Sequence, residues 1–114
     1  TSIMQSVQTI NGNSQDYESW FDALNGMYDD TMKYDFDIAL ISAGAYGMPL
    51  AKKIYDSGKC AIHVGGTLQL FFGIYGERWE SDNIIKSQIN SNWVRPLPSD
   101  YPPNHHKTKY KAYW

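Results

Sequence analysis

"FDIALISAGAYGMPLAKKIYDSGKCAIHVGG", residues 36–66, decides the fold. Phe36 to Ser42 is nearly all apolar after Asp37, the texture of a strand covered on both faces. Pro49 suits the first turn of a helix, where its missing N–H costs nothing. Leu50, Ala51, Ile54 and Tyr55 give that helix an inward face, and Gly58 is a natural stop. Cys60 to Val64 then reads as a second short buried strand, followed by Gly65-Gly66-Thr67. Strand, glycine loop, helix and strand in this order predict a parallel pair with a helical crossover.

Upstream, Ile3 to Ile10 mixes β-branched and polar residues and ends at Asn11-Gly12-Asn13, which predicts a first strand and a turn. A helix follows, with Ser14 as its N-cap and Asp16 and Glu18 in its first turn. Tyr17, Trp20, Phe21, Leu24, Met27 and Tyr28 recur at three and four, so one broad apolar stripe faces the sheet. Downstream, Leu68 to Tyr75 is expected to form a short helix capped by Thr67. From Gly76 the texture changes. Pro96, Pro98, Pro102 and Pro103 predict an extended segment, with a helical turn at residues 84–89. The expected fold is therefore α/β, a Rossmann-like three-layer β-α-β-α-β-α unit with a short parallel sheet. Residues 1–80 form that domain, and an irregular aromatic and Pro-rich tail, residues 81–114, packs on it.

Composition narrows the function classes. The chain has 114 residues and a net charge of −2, so charge gives no general case for nucleic-acid binding. The balance is uneven. Residues 1–57 hold eight acids and three lysines, residues 58–114 four acids and seven bases. The single cysteine, Cys60, excludes an internal disulfide and suits a reducing, cytoplasmic compartment; its apolar neighbours predict a small core residue. The longest apolar patch, Leu68 to Tyr75, falls far short of the ~20 residues that span a membrane. The chain opens at Thr1 rather than methionine and is expected to be part of something longer.

In a parallel sheet the C-terminal strand ends share one edge, where ligands bind. That puts Ser42, Gly44, Ala45, Tyr46 and Gly47 beside His63, Gly65, Gly66 and Thr67, two glycine loops that each open a helix. Arg78, after the third helix, is a candidate to return to this edge and pair with a phosphate. The dinucleotide fingerprint G-x-G-x-x-G needs glycine at position 42, where serine stands, and an acid near positions 62–64, which are Ile62, His63 and Val64. No Gly-Lys-Ser/Thr phosphate loop occurs. Two readings stay open: an edge facing phosphate or sugar, or glycines that only shape turns.

Asp35-Phe36-Asp37 has the look of a metal element but precedes the strand, about 20 Å from the glycine loop at ~3.3 Å per residue. Asp29-Asp30 reads as a helix-end pair, and His105-His106 has no carboxylate or cysteine nearby in sequence. No metal site is expected within residues 1–114.

The segment from Asp37 to Trp79 resembles a family of bacterial surface-polysaccharide biosynthesis proteins. Its pattern is a strand running into G-A-Y/F-G, a helix, then A-I-H-x-G-G-x-x-Q-x-x-F-G-I and G-x-R-W. Here these stand at Gly44–Gly47, Ala61–Ile74 and Gly76–Trp79, with W-V-R-P at Trp93–Pro96 and the closing Tyr113-Trp114. That family is similar to the GT-D glycosyltransferase fold. The resemblance implies transfer of a sugar from a nucleotide-sugar donor to a glycan acceptor, with this chain as the C-terminal half. It also implies an acidic D-x-E element holding Mn or Mg. Residues 1–114 offer none at a suitable place, so either it lies in an N-terminal portion or the family has lost catalysis, and catalytic residues are not carried over.

Overall fold

The computed structural model of the chain describes residues 1–9 and 16–101. It is an α/β protein whose chain divides into two compact units, Thr1–Leu68 and Gln69–Trp114.

In the first unit, helix α1 spans Trp20–Met32. It begins five residues later than the stripe suggests, because Ser19 rather than Ser14 caps it; Ser14 lies outside the described residues. Ser19 is extended, its Oγ accepts from the Asp22 amide at 3.1 Å, and its hydroxyl donates to the Asp22 carboxylate at 2.6 Å. Asp16 and Glu18 therefore precede the helix instead of forming its first turn. Ala23, Leu24 and Met27 are buried, Phe21 points to solvent, and Tyr17 lies back over the helix at Gly26. Gly26 is glycine at a close approach: a Cβ there would meet the Tyr17 ring at 2.6 Å.

Strands β1 (Ile38–Ile41) and β2 (Cys60–His63) pair in parallel, in the register Ile38–Cys60, Ala39–Ala61, Leu40–Ile62, Ile41–His63. Helix α2 (Gly47–Asp56) joins them and carries Pro49 in its first turn, as expected. It ends in a Schellman motif: the Gly58 amide bonds the Tyr55 carbonyl at 2.9 Å and the Lys59 amide bonds that of Ile54 at 3.3 Å. Gly58 takes the left-handed conformation this requires, with φ of 85°.

The core joins Ala23, Leu24 and Met27 of α1, Ile41, Ala43, Tyr46, and Leu50 and Ile54 of α2. Both helices cover the same side of the sheet. The other side, Ile38, Leu40, Cys60 and Ile62, is exposed; Ile38 and Leu40 are each 55% accessible and Ile62 52%. The strands are thus covered on one face, not two, and the described residues of this unit make two layers rather than three. Cys60 is correspondingly an exposed thiol rather than a core residue.

Nor does a first strand form among the described residues. Residues 3–9 join no ladder; Ile10 lies outside the described residues. This segment runs along α1 instead: the Val7 amide donates to Met27 Sδ at 3.4 Å and the Thr31 hydroxyl to Met4 Sδ at 3.8 Å. The Val7 amide, which a ladder would use, is spent on Met27 Sδ.

A 3-10 helix over Gly65–Phe72 stands where a short helix over Leu68–Tyr75 is expected, so it begins before Thr67. Thr67 is inside it, and its hydroxyl donates back to the Val64 carbonyl at 3.1 Å instead of capping.

The second unit is built on a clasp. Ile74 and Val94 form a parallel bridge, with Val94 N–H to Gly73 O at 2.8 Å and Tyr75 N–H to Val94 O at 3.0 Å. Gly73 has φ of 67°, and the Trp93 ring packs beside it. The Arg95 guanidinium bonds the Glu80 carboxylate and lies 5.2 Å from the Tyr75 ring centre; both interactions favour its charged form and raise its pKa above the usual value. Helix α3 (Asn83–Gln88), near the turn expected at residues 84–89, is capped by Asp82, whose carboxylate accepts from the Ile84 and Ile85 amides. The tail through Arg95 is therefore folded back on residues 73–80, where the sequence reads as extended.

Candidate functional site

The parallel register brings two glycine loops to one edge. Ile41 pairs with His63, and the ladder runs one bond further, from the Val64 amide to the Ile41 carbonyl at 2.9 Å. Ser42–Gly47 and Val64–Thr67 therefore leave the sheet side by side, at the C-terminal ends of their strands.

The glycines do different things. Gly44 and Gly65 have φ of 49° and 73°, and a Cβ built on either meets no atom within 4 Å. Glycine is needed there for backbone conformation, and the space beside it is open. Gly47 is the opposite case. It is buried at the first turn of α2, and a Cβ there would sit 2.3 Å from His63 Nε2 and 2.4 Å from Cδ2. The edge of the imidazole rests on the Gly47 backbone.

Around these, Ser42, Gly44 and Ala45 are exposed, and the Ser42 carbonyl accepts from the Ser6 hydroxyl at 3.5 Å. The loop closes on itself through the Tyr46 amide to Ala43 O at 2.9 Å and the Gly47 amide to Gly44 O. Tyr46 belongs to the core. It is 3% exposed, stacks on Trp20 with ring centres 4.9 Å apart, and donates its hydroxyl to Thr9 Oγ1 at 3.1 Å. Gly65 and Gly66 are half-buried and Thr67 is exposed. Arg78 belongs to the second unit, its guanidinium 4.7 Å from the Trp79 ring centre.

His63 is half-buried, and its Nε2 is buried with no hydrogen-bond partner among the described residues. The sequence placed His63 near the loops but gave no sign of its contact with Gly47, sixteen positions away.

At the opposite edge, Lys59 occupies the ground beside Asp35-Phe36-Asp37. Its ammonium donates to the Phe36 carbonyl at 2.9 Å, lies over the Phe36 ring, and stands 4.0 Å from the Asp35 carboxylate. Among the described residues no three His, Cys, Asp or Glu side chains come together in a way that could hold a metal ion. No helix among them is long and apolar enough to cross a membrane.

Comparisons with protein-family models, with curated proteins and with solved structures return no match to this chain.

Proposed function

We propose that the edge formed by Ser42–Gly47 and His63–Thr67 binds the diphosphate or sugar of a nucleotide-sugar. In this reading the chain is a glycosyltransferase-like portion of a protein that builds surface polysaccharide, and β1–α2–β2 is a piece of a Rossmann-like fold. The observation that carries it is the pairing of Gly44 and Gly65. Both are left-handed, both face open space, and the parallel register sets them on one sheet edge. The resemblance of the 37–79 segment supplies the sugar chemistry. Residues 1–114 are assigned to holding donor or acceptor, and the acidic metal element to another portion of the same protein.

The test is thermal unfolding with UDP-, GDP- and dTDP-sugars, with and without Mn2+. A rise in Tm with one nucleotide-sugar series is expected, since a ligand at a hundred times its Kd adds about 2.7 kcal/mol. A flat response to all of them overturns the proposal, and a rise with NAD alone redirects it to a redox cofactor.

One observation favours a second reading, a non-catalytic α/β module packed on another domain. It is the apolar outward face of Ile38, Leu40 and Ile62. There the glycine loops are only turns, and Gly44→Val lowers stability with no ligand affinity to lose.

A further inference from the structure

We infer that His63 is the side-chain hydrogen-bond donor of this edge, offering Nδ1–H to an acceptor oxygen of a bound diphosphate, a role that rests on the nucleotide-sugar reading above. The argument starts from the buried end of the ring. Nε2 is shut against Gly47 at the start of α2 and has no partner among the described residues. A neutral imidazole has one N–H and one bare nitrogen. Among backbone groups an orphaned buried N–H is rarer than an under-satisfied acceptor, and the same preference applied to the imidazole leaves the buried nitrogen bare. The proton of the neutral ring therefore sits on Nδ1.

Nδ1, unlike Nε2, is not among the buried atoms without a partner. His63 is only half-buried, and Gly47 contacts its Nε2–Cδ2 edge. His63 closes β2 opposite Ile41, one residue before the loops that begin at Ser42 and Val64. Its partner has to be an acceptor, and an anionic oxygen gives the stronger bond. Gly47 makes the arrangement possible: any side chain there would push the ring out of its seat.

The experiment uses the 15N-labelled chain with H105Q and H106Q, which leaves His63 as the single histidine. Long-range proton–nitrogen correlation above pH 8 reads the tautomer directly. The expected pattern is protonated Nδ1 and bare Nε2; protonated Nε2 overturns the inference. UDP, GDP and dTDP are then titrated in, each separately. Backbone amides of residues 42–47 and 64–67 and His63 Nδ1 are expected to shift together. Amide shifts without an Nδ1 response overturn the inference and leave the nucleotide-sugar reading standing; no amide shift with UDP, GDP or dTDP removes both. His63→Asn, whose amide can put an N–H near the Nδ1 position, should hold the affinity for whichever of the three nucleotides binds within about threefold, and His63→Ala should lose about tenfold or more. Equal loss in both overturns the donor role.

Discussion

His63 lies edge-on against Gly47, so close that a Cβ on Gly47 would stand 2.3 Å from Nε2. This contact ties the end of β2 to the start of α2 and fixes where the imidazole sits on the loop edge. Gly47→Ala is predicted to displace the ring and to cost about 1–3 kcal/mol, as overpacking does. Gly44→Ala meets no atom and costs about 1–2 kcal/mol from its left-handed backbone alone. Urea unfolding gives both costs. The His63 ring resonances separate the two, moving in the first variant and staying in place in the second.

The two faces of the sheet should respond oppositely to truncation. Ile41→Ala, on the covered face, is expected to cost about 2–4 kcal/mol, and Leu40→Ala under about 1 kcal/mol. Equal costs in denaturant unfolding would mean that both faces are covered in solution.

Ile54 is fully buried at the centre of the α1–α2–β1 cluster. Ile54→Ala should be among the most damaging truncations, at about 3–5 kcal/mol, and Ser19→Ala should remove about 1 kcal/mol by uncapping α1. Thermal or chemical unfolding ranks them, and the reverse order would contradict this core.

In the second unit, Arg95 links Glu80 to Tyr75 beside the Ile74–Val94 bridge. Both partners are reachable by solvent, so Arg95→Ala should cost only about 1 kcal/mol. Its signature is local: amide exchange at Tyr75 and Val94 quickens while that of β1 and β2 is unchanged.

The β1–α2–β2 unit was legible because its signals are local. An apolar run, Pro49 in a first turn and Gly58 at a helix end each act through their immediate neighbours. The covered face was not legible. In Ile38-Ala39-Leu40-Ile41 every residue is apolar, so no alternation marks inside from outside, and Cys60 was misread with them. The start of α1 is read too early, at a Ser14 cap, because Ser14 like Ser19 precedes acids, and the Ser19–Asp22 exchange sets it at Trp20. The clasp of Gly73–Tyr75 on Trp93–Arg95 and the seat of His63 on Gly47 depend on contacts sixteen or more positions apart. Of the candidate site, the sequence found both loops. It did not show that Tyr46 is spent in the core or that Gly47 serves His63 while Gly44 and Gly65 face open space.

The most direct measurement of the central claim is an amide-shift titration of the chain with UDP, GDP and dTDP. One of them should move the amides of Ser42–Gly47 and Val64–Thr67 together, along a single saturating curve, with little change at Asp35–Asp37 on the opposite edge. Saturating amounts of all three without a response in either loop, or with the response confined to the Asp35–Asp37 edge, would contradict the claim.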